Sequence, residues 1–141
     1  MLLDEEELAA WRGMLRAHAE LVRELDAELA REHDMPLSSY EVLLFLNDSE
    51  DGRMRMSELA DSALLSRSGL TRLVDRLERQ GLLTRERCES DARGWFAEIT
   101  PEGRRVFGAA RKTHLDGVRR AFLSHFSRDE LRTLGGLWQK L

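Results

Sequence analysis

MSELADSALLSRSGLTRLVDRLERQGLLTRERCESDARGWFAEIT, residues 56–100, is the stretch whose reading decides the fold. Ser57 is placed to cap a short helix from Glu58 to about Ala63. A tight turn through Leu64 and Leu65 leads to Ser66, a second good cap. The next helix ends at Gly81, a residue suited to the left-handed position just past a helix C-terminus. Leu83 to Glu89 and Trp95 to Thr100 then read as two strands, joined through Ser90, Asp91, Ala92, Arg93 and Gly94. The outline is two capped helices across a short turn, followed by a hairpin with a basic tip.

Helical phasing gives the second of these helices two faces. Leu70, Leu73, Val74 and Leu77 share one face by the three-four rule. At about 100° per residue, the opposite face holds Ser68, Thr71, Arg72, Asp75 and Arg79. Small hydroxyl residues let that helix end approach a surface closely, and its free amides attract phosphate. Ser68 and Thr71 are placed to meet bases or phosphates, and Arg72 has the fork geometry that matches guanine O6 and N7. The hairpin adds Arg85 and Arg87 on one strand and Arg93 at the tip. A tip arginine suits a narrow, negative minor groove, and Asp91 is close enough in sequence to hold it. Two plainer readings stand beside these. Any amphipathic surface helix shows Arg and Ser outward, and an Asp–Arg pair in a turn is an ordinary surface feature worth under about 1 kcal/mol. The order of cap, helix, turn, helix and hairpin is what makes a winged helix-turn-helix facing duplex DNA the better expectation.

Working outward, the first helix is expected from about Asp4 to about His33, with apolar residues at Leu8, Trp11, Leu15, Val22, Leu25 and Leu29. His18 fills the missing slot, and Ala10, Met14, Ala17 and Leu21 widen the stripe. So broad an apolar face on so long a helix calls for a second copy of the chain. Pro36 and Leu37 break the pattern, and Ser38 with Glu41 reads as a capping box. The helix it opens, through about Leu46, is apolar nearly all round and is expected at the centre of the core. Arg53 to Met56 reads as a short strand. Thr100-Pro101 opens a long helix to about Phe122, and Ser127 with Glu130 opens a last one.

Composition narrows the classes. A chain of 141 residues fits one domain, and 42% hydrophobic residues is too many for disorder. The single cysteine, Cys88, excludes an intrachain disulfide and a cysteine-paired zinc site. The acidic start MLLDEEELAA lacks the basic region of a secretion signal, and no apolar run has the length of a membrane span. A cytoplasmic protein without membrane attachment is the expectation. The net charge of −4 argues against nucleic acid until it is mapped. Residues 1–52 carry 14 acidic and 4 basic groups, whereas residues 53–105 carry 11 arginines and 9 acids. The local field, not the total, steers a polyanion.

The runs Thr71-Arg72-Leu73-Val74-Asp75-Arg76-Leu77-Glu78, Gly81-Leu82 and Asp91-x-Arg93, with Ile99-Thr100-Pro101 after them, resemble the MarR family of multiple-antibiotic-resistance-type regulators. The flanking helices match that layout too, so the resemblance spans nearly the whole chain. It implies a homodimer with arms from both chain ends, bound to a pseudo-palindromic operator, with repression as the default. It implies a mainly α protein with a small hairpin wing: residues 1–35 a dimerisation helix, 36–100 the DNA-binding lobe, and 101–141 further dimerisation helices. By that match Ser66, Arg67, Ser68, Thr71 and Arg72 belong to the recognition helix and Arg93 to the wing, while Asp75 and Arg76 brace helix to wing.

Many such regulators respond to small aromatic acids in a pocket between the arms and the lobe. Trp11, Arg16, His18 and Tyr40 are the candidate lining residues here, with Arg16 as a carboxylate partner. Core packing for Trp11 and an interface role for His18 are the plainer alternatives. Cys88 offers a redox switch only if its thiolate is favoured by Arg85 and Arg87. His18, His33, His114 and His125 are scattered, so no metal is expected. No nucleophile–base motif, phosphate loop or dinucleotide loop is present, so neither enzyme activity nor a cofactor is expected. A winged-helix module that binds protein instead of DNA is the remaining alternative.

Overall fold

The computed structural model describes residues 2–63, 65–90 and 94–141. Helix α1 spans Glu5–His33 and opens on a reciprocal capping box between Asp4 and Glu7. Its C-terminal part alone is buried, through Leu25, Glu28 and Leu29. Trp11, Leu15 and Val22, earlier on the apolar stripe, remain 52%, 47% and 39% exposed.

Helix α2 spans Leu37–Asp48 and lies in the core, burying Leu37, Tyr40, Val42, Leu43 and Leu46. Its start differs from the expected Ser38 box. Pro36 occupies the cap position and offers no side-chain acceptor. The Leu37 amide instead donates to Asp26 Oδ1 at 2.7 Å, so a carboxylate from α1 caps α2.

Strand β1, Arg53–Arg55, runs directly into helix α3, Met56–Ser62. Arg55 holds the cap position, so Ser57 lies inside the first turn and is not the cap expected. Helix α4 spans Arg67–Arg79. Ser66 caps it by accepting from the Gly69 amide at 3.1 Å. Leu70, Leu73, Val74 and Leu77 are its buried face, as phased. Beyond Gln80, Gly81 takes φ 76°, and the Gly81 and Leu82 amides donate to the Glu78 and Leu77 carbonyls at 3.0 Å each. This paired closure satisfies the last carbonyls of α4.

Strands β2, Leu83–Arg87, and β3, Trp95–Ile99, pair antiparallel, and β1 joins the other edge of β3. Register sets Leu83 opposite Ile99 and Met54 opposite Ala97, facing the core. Helix α5, Pro101–Ala121, starts where β3 ends, capped by Thr100. Helix α6, Arg128–Trp138, opens on the Ser127–Glu130 box and buries nothing within one chain. Helix α1 approaches α5 closely at Gly117, where a Cβ would meet Glu28 Oε2 and Leu25 Cδ2. Glu28, only 9% exposed, is matched there by Arg120 at 2.9 Å. A carboxylate so placed needs such a partner.

Asp26→Ala removes the real cap of α2, and unfolding free energy is expected to fall by about 1 kcal/mol. Ser38→Ala removes the cap expected from sequence and should change nothing. Urea midpoints at one fixed protein concentration compare the two; equal effects would refute the assignment.

Candidate nucleic-acid interface

The outward face of α4 carries Arg67, Ser68, Thr71, Arg72 and Arg79, all exposed. Among the described residues, no ion pair engages Arg67, Arg72 or Arg79. These guanidinium groups are exposed and, among the described residues, have no counter-charge. Ser66 and Thr71 are more committed. Ser66 Oγ is the helix cap, 3.3 Å from Ser68 Oγ, and Thr71 Oγ1 donates to the Arg67 carbonyl at 2.8 Å. Gly69 is explained by the cap, since a Cβ there would press on Ser66 Oγ at 3.0 Å.

Arg85 does not share this freedom. Its guanidinium lies 2.6 Å from Asp75 Oδ1 and 3.0 Å from Glu78 Oε1, with the side chain 25% exposed. Its backbone amide also donates to Glu78 Oε2 at 3.0 Å. The structure thus places Arg85 as the link between β2 and α4, not as an outward DNA-facing group. Asp75 of α4 meets β2 through Arg85. Arg76 does not: its guanidinium donates to Ser39 Oγ at 3.1 Å, tying α4 to α2. Hydrogen bonding from Arg85 holds the Glu78 carboxyl below the usual carboxylate range, and the same bond raises the Arg85 pKa. Glu78 escaped sequence reasoning because no helical or strand period connects it to Arg85; the turn at Gly81 makes the contact.

On the hairpin, Asp91 and Arg93 lie outside the described residues. Arg55 reaches from β1 to Ser90 Oγ at 3.4 Å. Arg53 and Arg55 lie over the Phe96 ring at 4.2 and 5.5 Å, and Arg87 over Trp95 at 5.7 Å. Cys88 is 5% exposed, with its sulfur 3.0 Å from Ser90 Oγ. That burial restricts oxidant access and counts against the redox alternative.

The four candidate effector residues are not brought together in one chain. Trp11, Arg16 and His18 are exposed on the first half of α1. Trp11 lies 14 residues before Leu25, about 21 Å along the helix axis. Tyr40 is 3% exposed and stacked in the core, with ring centroids 5.4 Å from Phe107 and 4.5 Å from His114. Sequence spacing could not separate the solvent end of α1 from its packed end. Among the described residues His114 Nδ1 is buried without a hydrogen-bond partner, and burial pushes its pKa down.

The clamp has a pH signature. Because the Glu78 pKa is depressed on folding, its contribution is present above the ordinary value of about 4.3 and is lost as pH falls through the folded value. Arg85→Ala should return the Glu78 titration toward that ordinary value and speed amide exchange in β2 and β3 at neutral pH. NMR titration and hydrogen exchange read both, and an unmoved Glu78 titration contradicts the clamp.

The sequence model of the MarR family matches residues 33–94. Among solved structures, Sco3205, a MarR family transcriptional regulator from Streptomyces coelicolor in complex with DNA, is 37% identical. It superposes with a TM-score of 0.92 over 99% of this chain and 87% of that one. The HTH-type transcriptional regulator YfiV of Bacillus subtilis is 34% identical over 83 residues, 58% of this chain and 51% of its own length. The HTH-type transcriptional repressor YetL of the same bacterium is 27% identical over 106 residues, 72% of this chain. The chain covers 63% of YetL, so it spans less than two thirds of either Bacillus relative.

Proposed function

This chain belongs to the MarR family of transcriptional regulators, and from that premise we propose that it is a cytoplasmic homodimeric repressor of a pseudo-palindromic operator. One observation carries the DNA reading: α4 exposes three arginines that have no counter-charge among the described residues, beside small hydroxyl residues at its capped start. Such a helix end suits the major groove, with Arg72 reading a guanine edge and Ser68 and Thr71 beside it. Arg67 and Arg79 supply phosphate contacts and Arg93 the minor-groove contact. The relation to Sco3205, solved with DNA, supports this reading, and YetL supports the sign of regulation.

Dimerisation is the reading of the uncovered apolar residues. Trp11, Leu15 and Val22 on α1, Leu115 on α5, and Leu137 and Trp138 on α6 are each at least 37% exposed. Both chain ends therefore present apolar stripes that one chain leaves uncovered, as arms shared between two copies require. A small-molecule effector belongs to the same reading. Trp11, Arg16 and His18 are available to a site completed by the second copy, whereas Tyr40 is committed to the core.

The wild-type chain should bind a duplex selected from random sequence with affinity that falls steeply as salt rises. Arg72→Ala should weaken specific binding by about 1–3 kcal/mol and relax preference at one base position. Arg93→Ala should weaken both operator halves alike. Unchanged affinity in both variants would sink these contact assignments.

Sedimentation should give the mass of two chains at micromolar concentration. Deleting residues 1–20 should leave aggregated or unfolded protein. A well-folded monomer from that deletion would count against shared arms.

A further inference from the structure

Trp95 is 43% exposed, although it lies beside the packed edge of the hairpin. Its indole forms one wall of a cleft of about 340 Å3 between β1, the hairpin and the start of α4. Arg55, Met56, Ser57, Arg67, Leu70 and Thr71 line the rest, with Gly94 at the hairpin side. Two guanidinium groups and no carboxylate line the cleft among the described residues. The Arg87 guanidinium lies 5.7 Å from the far aromatic wall, Trp95 itself, which adds a third positive charge nearby. Arg55 is steadied by Phe96 and by Ser90, so its charge is held at the cleft rather than swinging freely in solvent. The Thr71 proton is spent on the Arg67 carbonyl, which leaves Ser57 as the hydroxyl able to donate.

We propose that this cleft seats the sugar-phosphate backbone of DNA where it passes from the groove read by α4 toward the wing. The indole of Trp95 lies against a deoxyribose. Arg55 and Arg67 take the flanking phosphates, and the Ser57 hydroxyl donates to one of them. Charge complementarity selects this occupant: the cleft is positive, borders the exposed start of α4, and offers an apolar lining of Trp95, Met56 and Leu70 against which a sugar can lie. Such contacts fix the register of the protein on the duplex and carry no base information. Arg55, Ser57 and Trp95 thereby join the interface, on which sequence phasing of α4 alone could not place them. This inference rests on the DNA-binding reading and adds a particular path for the backbone.

The test uses the full chain and its selected duplex. Arg55→Ala should weaken every duplex alike and make the slope of log affinity against log salt shallower by about 1. Trp95→Ala should weaken binding several-fold with slope and base preference unchanged, because it removes an uncharged contact. Duplex addition should change the indole emission of the wild type, and Trp95→Phe, with unchanged thermal unfolding, should abolish that change. If the wild type binds duplex with steep salt dependence while Arg55→Ala and Trp95→Ala match it, the backbone path is wrong and the DNA reading stands. If the wild type binds no duplex, both fall together. An emission change caused by benzoate and not by duplex would make the cleft a small-anion site and overturn the proposal.

Discussion

One hydroxyl joins the two halves of this molecule. Thr100 Oγ1 accepts from the Gly103 amide at 2.9 Å, which caps α5, and donates to the Gly81 carbonyl at 2.7 Å, just past the end of α4. The Thr100 amide donates to the Leu82 carbonyl at 3.1 Å. Gly103 is required beside it, because a Cβ would collide with that same Leu82 carbonyl. Backbone cannot swing aside as a flexible side chain can. The end of α4 and the start of α5 are therefore held together by direct hydrogen bonds, although the β2–β3 hairpin separates them in the chain. Helix α5 is in turn pinned to α1 by Glu28–Arg120 and by His33, whose Nε2 lies 2.8 Å from Thr113 Oγ1.

What could be read in advance was what the chain settles locally. The buried face of α4, the caps at Ser66, Thr100 and Ser127, and the left-handed Gly81 depend on residues within about a turn of one another, and periodicity exposes them. The failures were contacts across elements. Asp26 caps a helix that begins eleven positions later, and nothing in Leu37-Ser38-Ser39 announces an acceptor from elsewhere. Arg76 and Arg85 look alike in sequence to Arg72 and Arg79, yet Ser39, Asp75 and Glu78 have taken them. The candidate effector residues are not brought together within one chain for a related reason. A stripe on α1 states which residues share a face, but not which length of that face meets the core and which is left uncovered.

That sorting of arginines changes what the charge balance means. Residues 53–105 carry a net charge of only +2, too little to explain attraction to a polyanion. Arg85 faces Asp75 and Glu78, and Arg105 faces Glu102. The acids so matched no longer oppose a phosphate with their full charge, and the arginines so matched no longer attract one. Arg67, Arg72 and Arg79 have no such partner among the described residues; Arg72 and Arg79 share the outward face of α4, and Arg67 is exposed at its first turn. Only guanidinium groups of this second kind raise the number of phosphates neutralised, on which salt-dependent affinity depends. The acidic excess lies in residues 1–52: α1 carries 8 acids against 4 arginines over about 43 Å, and Asp4, Asp34, Glu41, Asp48, Glu50 and Asp51 add the rest. Charges further than about 8 Å from the interface are largely screened at physiological salt. A chain of net charge −4 can therefore present a positive face, because the exposed arginines of α4 have no ion-pair partner among the described residues while the acidic surplus lies in residues 1–52.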